Sequence, residues 1–167
     1  MQIQSSLFKR PRALVVDDST TLQRLMDLVL RPLGVDVEFA GRGDDAMMLA
    51  LNKPYDVIFL DVMLPGADGY QVCKAIKRDP HARHVPVIMF TSKDSAFDKV
   101  KGIMAGTNVY LTKPIKRSDL LAAIDRHVPG LRTAGAWWLE RQKASRPQRA
   151  ADAAETDQFV QRVTQQP

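Results

Sequence analysis

The sequence predicts an α/β domain on a doubly wound, five-stranded parallel sheet. Two observations carry that expectation. Five short apolar runs alternate with five segments of helical periodicity, the pattern of right-handed strand–helix–strand crossovers. In addition, the run Val57 to Leu60 has no polar residue on either face, as a strand covered on both sides requires.

Taken in order, ALVVD (13–17) is an apolar run ending in acid and reads as the first strand. Ser19 or Asp18 can cap a helix running through about Leu33, with Leu22, Leu25, Met26, Val29 and Leu33 at helical spacing. Pro32 and Gly34 close it. Val35 to Phe39 alternate as a second strand, and Ala46 to Leu51 form a helix. Val57 to Leu60 are the third strand. Tyr70 to Lys77 are helical, with Val72, Cys73 and Ile76 on one face. Pro86 to Phe90 form a strand, Ala96 to Met104 a helix, Val109 to Leu111 the last strand and Ser118 to Val128 the fifth helix.

The 167 residues suit one domain with some appended chain. A hydrophobic share of 45% supports a core, while 26% charged residues give a polar surface. No apolar run is long enough to span a bilayer, and MQIQSSLFKRPR lacks the apolar centre of a secretory signal. The single cysteine, Cys73, cannot form an internal disulfide, so the expected compartment is the cytoplasm. The net charge of +5 is not organised into basic runs interleaved with aromatics, and no helix-turn-helix or zinc-finger pattern is present. Direct nucleic-acid binding is therefore not expected, nor is membrane insertion.

In sheets of this kind reactive groups gather beyond the carboxyl ends of the strands, where strand order reverses. Asp17 and Asp18 follow the first strand, Asp61 the third, Thr91 and Ser92 the fourth, and Lys113 the fifth. Strand two is followed by Ala40 and Gly41, as an edge strand outside the cluster would be. Two carboxylates about 5 Å apart repel by about 3 kcal/mol at an effective dielectric of about 20. Such a group must hold protons or recruit a cation, and oxygen ligands with room for water suit Mg²⁺. A carboxylate can also attack phosphorus, forming an aspartyl phosphate whose oxygens need neutralising. Mg²⁺, the Lys113 ammonium and the Thr91 hydroxyl or a backbone N–H could share that task.

The segments VVDDS (15–19), FLDVMLPGADG (59–69), FTS (90–92) and YLTKP (110–114) resemble, in order and on the right elements, the CheY-like receiver domains of bacterial two-component signalling. The resemblance covers about residues 12 to 128 and implies the flavodoxin-like (βα)5 fold. It implies that Asp61 is the phosphoacceptor, that Asp17, Asp18 and Asp61 hold Mg²⁺ with the Met63 backbone carbonyl, and that Lys113 contacts the phosphoryl group. It further implies that Thr91 is the switch hydroxyl, that Tyr110 follows it inward, and that Lys113–Pro114 is cis. The segment 96–114 also looks like the PilG type of regulator of type IV pilus twitching motility. Ser92 departs from the alanine that many members carry, and is still small.

The expected function is that of a stand-alone response regulator. It takes a phosphoryl group from a histidine kinase or phosphotransfer protein and signals by protein contact, without being an enzyme acting on a separate substrate. The signalling face would comprise the fourth helix, fifth strand and fifth helix, with Lys99, Lys101, Lys116 and Arg117 suited to an acidic partner. Two other readings stand beside it. One is an Mg²⁺-dependent phosphatase with an aspartate nucleophile, although Met63 stands where such enzymes carry a second acid. The other is a phosphorylation-independent adaptor. Taken singly, Asp17 and Asp18 also suit a helix cap, and Thr91 and Tyr110 suit strand packing.

Other features read as structural. GRGDDA (41–46) imitates a dinucleotide fingerprint, but Asp44 and Asp45 occupy the helix start where a pyrophosphate would sit. His81 and His84 read as solvated, His127 as a charge near a helix end, and Cys73 as a small core residue.

The expected organisation is an N-terminal arm (1–11), a receiver domain (12–130) and a C-terminal extension (131–167), helical or disordered. The extension carries Trp137, Trp138 and Leu139, a basic stretch (Arg141, Lys143, Arg146, Arg149) and an acidic one (Asp152, Glu155, Asp157). It is either a frayed tail or a helix using its tryptophans to dock on a partner or on the receiver.

Overall fold

The computed structural model describes residues 9–92 and 96–144, and the side chains of all of these except 96–99 and 102. The strands are β1 (Arg12–Val16), β2 (Asp36–Ala40), β3 (Val57–Asp61), β4 (Val87–Thr91) and β5 (Val109–Thr112). The helices are α1 (Thr20–Leu30), α2 (Gly43–Asn52), α3 (Gly69–Arg78), α4 (Ala96–Ala105), α5 (Arg117–His127) and α6 (Leu131–Ala144). All strand pairs are parallel in the order β2-β1-β3-β4-β5, which puts β2 at an edge and the reversal of strand order between β1 and β3. The expected doubly wound, five-stranded parallel sheet is therefore present.

Side chains alternate across the sheet, so each face builds its own core. Leu14, Val16, Ile58, Leu60, Val87 and Met89 pack with residues of α2 and α3 on one side. Ala13, Val15, Val57, Phe59, Ile88 and Phe90 pack with α1 and α5 on the other, where the Phe59 and Phe90 rings stack with centroids 5.7 Å apart. Every residue of β3 and β4 is buried, as the unbroken apolar run in β3 requires. Cys73 is buried, its Sγ donating to the Ala105 carbonyl, and burial pushes its thiol up to about 11, so it stays neutral as a core residue.

Element ends differ from the sequence expectation in physically intelligible ways. The first helix is α-helical only to Leu30; Arg31–Leu33 tighten into a 3-10 turn around Pro32, which lacks a backbone donor. Its N-cap is Ser19, whose hydroxyl accepts from the Leu22 N–H. α2 begins at Gly43 rather than Ala46, because Asp44 and Asp45 favour a helical first turn. α3 begins at Gly69 under a capping box between Asp68 and Gln71.

In the stretch expected to be either a frayed tail or a docking helix, Leu131–Ala144 form α6, packed against α5 and the turn at Arg31–Leu33. Gly135 lies so close to Leu33 and Gly34 that a Cβ there would overlap the Leu33 carbonyl oxygen. Arg10 secures the contact, donating to the Gly34 and Val35 carbonyls (both 3.2 Å) with its guanidinium 4.2 Å from the Trp138 ring centroid. The Pro11 carbonyl accepts the Asp36 N–H, so Arg10 and Pro11, expected in a separate arm, belong to the edge of the sheet. Arg146, Arg149, Asp152, Glu155 and Asp157 lie outside the described residues, as do residues 1–8 of the arm.

Candidate functional site

Among the described residues, the buried polar or charged side chains are Asp17, Asp61 and Thr91. All three stand at the carboxyl ends of central strands. Asp17 follows β1 and Asp61 ends β3, so the two acids flank the point where strand order reverses. Carboxylate oxygens of Asp17, Asp18 and Asp61 lie within 4.8 Å of one another, with Asp18 the exposed member.

Asp17 is held from several sides. Its N–H donates to the Ala40 carbonyl (3.0 Å), its Oδ1 accepts the Ser19 N–H (2.8 Å) and its Oδ2 accepts from Lys113 Nζ (2.7 Å). Gln23 Nε2 donates to the Asp17 carbonyl (2.7 Å), one turn along α1. Asp61 meets Lys113 Nζ at 3.1 Å through Oδ2, and its Oδ1 accepts a long contact (3.4 Å) from the Met63 N–H. The strand end is fixed by the Val62 N–H donating to Phe90 and by Gly69, whose N–H donates to Val62. A Cβ at Gly69 would overlap the Asp61 carbonyl oxygen, so this close approach needs glycine.

Burial holds the Asp61 carboxyl above its ordinary range, the Asp17 charge adds to that, and Lys113 opposes both. For Lys113, burial alone would favour the neutral amine, but its bond to Asp17 and the charge of Asp61 outweigh it and raise the ammonium. One ammonium thus serves two buried acids, with Asp18 beside them, and the rim retains excess negative charge. An all-oxygen donor set with one solvent-facing carboxylate fits a hard divalent cation that keeps some of its waters.

Thr91 is the last residue of β4, one step beyond the partner of Asp61 in the β3–β4 register, and its carbonyl accepts the Lys113 N–H (2.6 Å). Lys113–Pro114 is cis, as the resemblance implied. Tyr110 is half-buried in β5, apart from the acids, with its hydroxyl 3.1 Å from that of Tyr70. The structure therefore gathers Asp17, Asp18, Asp61 and Lys113, lines the rim with Thr91 and Met63, and leaves Tyr110 to a second cluster. Gln23 and Tyr70 had no signal in the sequence. Neither lies in a motif, and the Tyr70–Tyr110 contact joins residues 40 positions apart.

A family model described as the response regulator receiver domain matches residues 13–125. The chain belongs to this family. The receiver is 43% identical over 118 residues to Protein PilG of Pseudomonas aeruginosa, a match spanning 71% of this chain and 87% of that protein, so the PilG-type resemblance is borne out. It is 40% identical over 113 residues to the response regulator PleD of Caulobacter vibrioides, which covers 68% of this chain and a quarter of that protein. Among solved structures, chemotaxis protein CheY4 of Vibrio cholerae aligns at 30% identity and a TM-score of 0.66, over 71% of this chain and 98% of that one. The receiver domain of a Pseudomonas aeruginosa sensor histidine kinase aligns at 32% identity and a TM-score of 0.67, over 72% and 98% of the two chains. That structure has a magnesium ion coordinated in its active-site cleft. The receiver family model ends at residue 125, before α6 begins. No helix among the described residues is long and apolar enough to cross a membrane.

Proposed function

We propose that this receiver accepts a phosphoryl group on Asp61 from a phosphohistidine of a histidine kinase or phosphotransfer protein. The observation that carries the reading is the convergence of three carboxylates and Lys113 on one rim, two of the acids buried. An Asp61 carboxylate oxygen attacks phosphorus, the phosphorus–nitrogen bond breaks, and the imidazole leaves, producing an acyl phosphate. Asp17, Asp18, Asp61 and the Met63 carbonyl would hold Mg²⁺, which when bound neutralises charge on the phosphoryl oxygens. Lys113 contacts the phosphoryl group, and the Thr91 hydroxyl turns toward it. The protein acts as a phosphoacceptor rather than as an enzyme on a separate substrate, and works in the cytoplasm beside its donor.

The test is intact mass after incubation with Mg²⁺ and acetyl phosphate. One added phosphoryl group on the natural chain and none on Asp61→Ala is the expected result; no adduct on the natural chain overturns the reading. The likeness to PilG supports a role in type IV pilus twitching motility. In cells lacking their own copy, the natural chain should support surface motility that Asp61→Ala does not; equal motility would favour the phosphorylation-independent adaptor.

The output is a change in the face formed by α4, β5 and α5, as phosphorylation rebalances inactive and active conformations. Lys101, Lys116 and Arg117 are exposed there, which suits an acidic protein partner; the side chain of Lys99 lies outside the described residues. Lys101→Glu combined with Lys116→Glu is expected to weaken binding of the downstream protein about tenfold, mainly through its association rate. Unchanged affinity in a titration would remove charge from the account of recognition.

A further inference from the structure

Asp17, Asp18 and Ser19 alone connect β1 to α1, and the two acids both belong to the rim. A single residue of α1 closes this connection from the helix side. The Gln23 N–H donates to the Ser19 carbonyl (3.0 Å), and the Gln23 side chain reaches back to donate to the Asp17 carbonyl (2.7 Å). That carbonyl belongs to the planar peptide joining Asp17 to Asp18, so the Gln23 amide fixes the plane from which Asp18 departs. The two acids are held differently. Asp17 is fully buried, and its carboxylate accepts from the Ser19 N–H and from Lys113 Nζ. Asp18 is exposed, yet its carboxylate lies within 4.8 Å of those of Asp17 and Asp61. The peptide that Gln23 holds is a constraint on where that exposed carboxylate can be.

We propose that Gln23 is a positioning residue for the cation site: by holding the Asp17–Asp18 peptide it keeps the Asp18 carboxylate within reach of the other two. This rests on the reading of the acid rim as an Mg²⁺ site and deepens it by naming an outer-shell residue outside every motif. Without the side-chain donor the Asp17 carbonyl turns to water and the peptide is free to rotate. Asp18 then samples orientations that separate its carboxylate from Asp17 and Asp61, and binding has to reorder it. Losing an outer-shell hydrogen bond costs about 10- to 100-fold in metal affinity. Gln23 acts on the backbone of a ligand and not on its carboxylate, which places its share at the low end, about tenfold. Gln23→Met keeps the length and the apolar stem while removing the donor.

NMR of the isotope-labelled full chain tests this, first in EDTA. Gln23→Met should shift the Asp17 carbonyl carbon and broaden the Asp18 amide, while the resonances of β4 and β5 stay where they are. Unaltered Asp17 and Asp18 signals overturn the proposal, and this readout needs no cation. The same samples are then titrated with Mg²⁺. Gln23→Met should bind about tenfold more weakly than the natural chain, and in an Asp18→Asn background the same substitution should change nothing further. Unchanged affinity overturns the proposal. So does an equal loss in the Asp18→Asn background, because a merely structural role would weaken both alike and Gln23 would then not act through Asp18. A natural chain that binds no Mg²⁺ overturns the cation reading itself, and the proposal with it.

Discussion

Lys113→Ala is expected to destabilise the metal-free receiver by about 3 kcal/mol at neutral pH, the low end for stripping a buried charge of its partner. Lys113 is the cation shared by Asp17, which is 0% exposed, and Asp61, which is 5% exposed. Removing it leaves two desolvated carboxylates facing each other. The Lys113 side chain is itself 25% exposed, so water entering its place screens part of the penalty and keeps it from the upper end.

The pH dependence has a definite sign. The Asp61 carboxyl is already raised above its ordinary 3.8 by burial and by Asp17, against the pull of Lys113, and losing Lys113 raises it further. The folded variant then holds its proton more tightly than the unfolded chain. Its stability deficit is absent below the ordinary carboxylate value and grows as pH rises through the raised one. Urea unfolding in EDTA at acid and neutral pH measures this. Millimolar Mg²⁺ should raise the variant's midpoint more than that of the natural chain, because the cation takes over the missing charge. A variant as stable as the natural chain at both pH values would mean that the acids are not coupled through Lys113.

Gly135→Leu is expected to undock α6 while leaving the sheet folded, at a cost of about 3 kcal/mol, comparable to re-exposing one or two large apolar side chains. Glycine inside a helix costs about 1 kcal/mol relative to alanine, so its place within LRTAGAWWLERQKA needs a packing reason. The reason is the close passage of α6 over Leu33 and Gly34, where no Cβ fits. Forcing the helices apart also exposes Leu131, now 3% exposed, and separates Arg10 from Trp138. Both tryptophans of the chain lie in α6, so selectively excited tryptophan fluorescence reports this helix alone. The expected signature is a red-shifted emission with the circular dichroism of the α/β unit retained. Unshifted emission and an unchanged melting temperature would show that α6 tolerates the added side chain where it sits.

The acid rim was legible before any coordinates because it is a property of strand ends. Each strand of a parallel sheet delivers its next residue to the same edge, so the residues just past the apolar runs together make up the rim. Asp17, Asp18, Asp61, Thr91 and Lys113 came from that rule, and the family resemblance added their roles. Element ends were less legible. Whether Pro32 lets a helix continue or tightens it, and whether Asp44 and Asp45 enter the first turn, depend on small local energies.

The sequence by itself determined the alternation of strands and helices, the apolar faces and the residue types brought to the carboxyl edge, because these depend on periodicity and order along the chain. The tertiary structure alone decided that Lys113 reaches Asp17 across 96 positions, that Tyr70 meets Tyr110, and that Leu131–Ala144 dock on the receiver through Gly135. Those contacts depend on how separate elements pack, and a glycine or tyrosine carries no local signal of the surface it will meet.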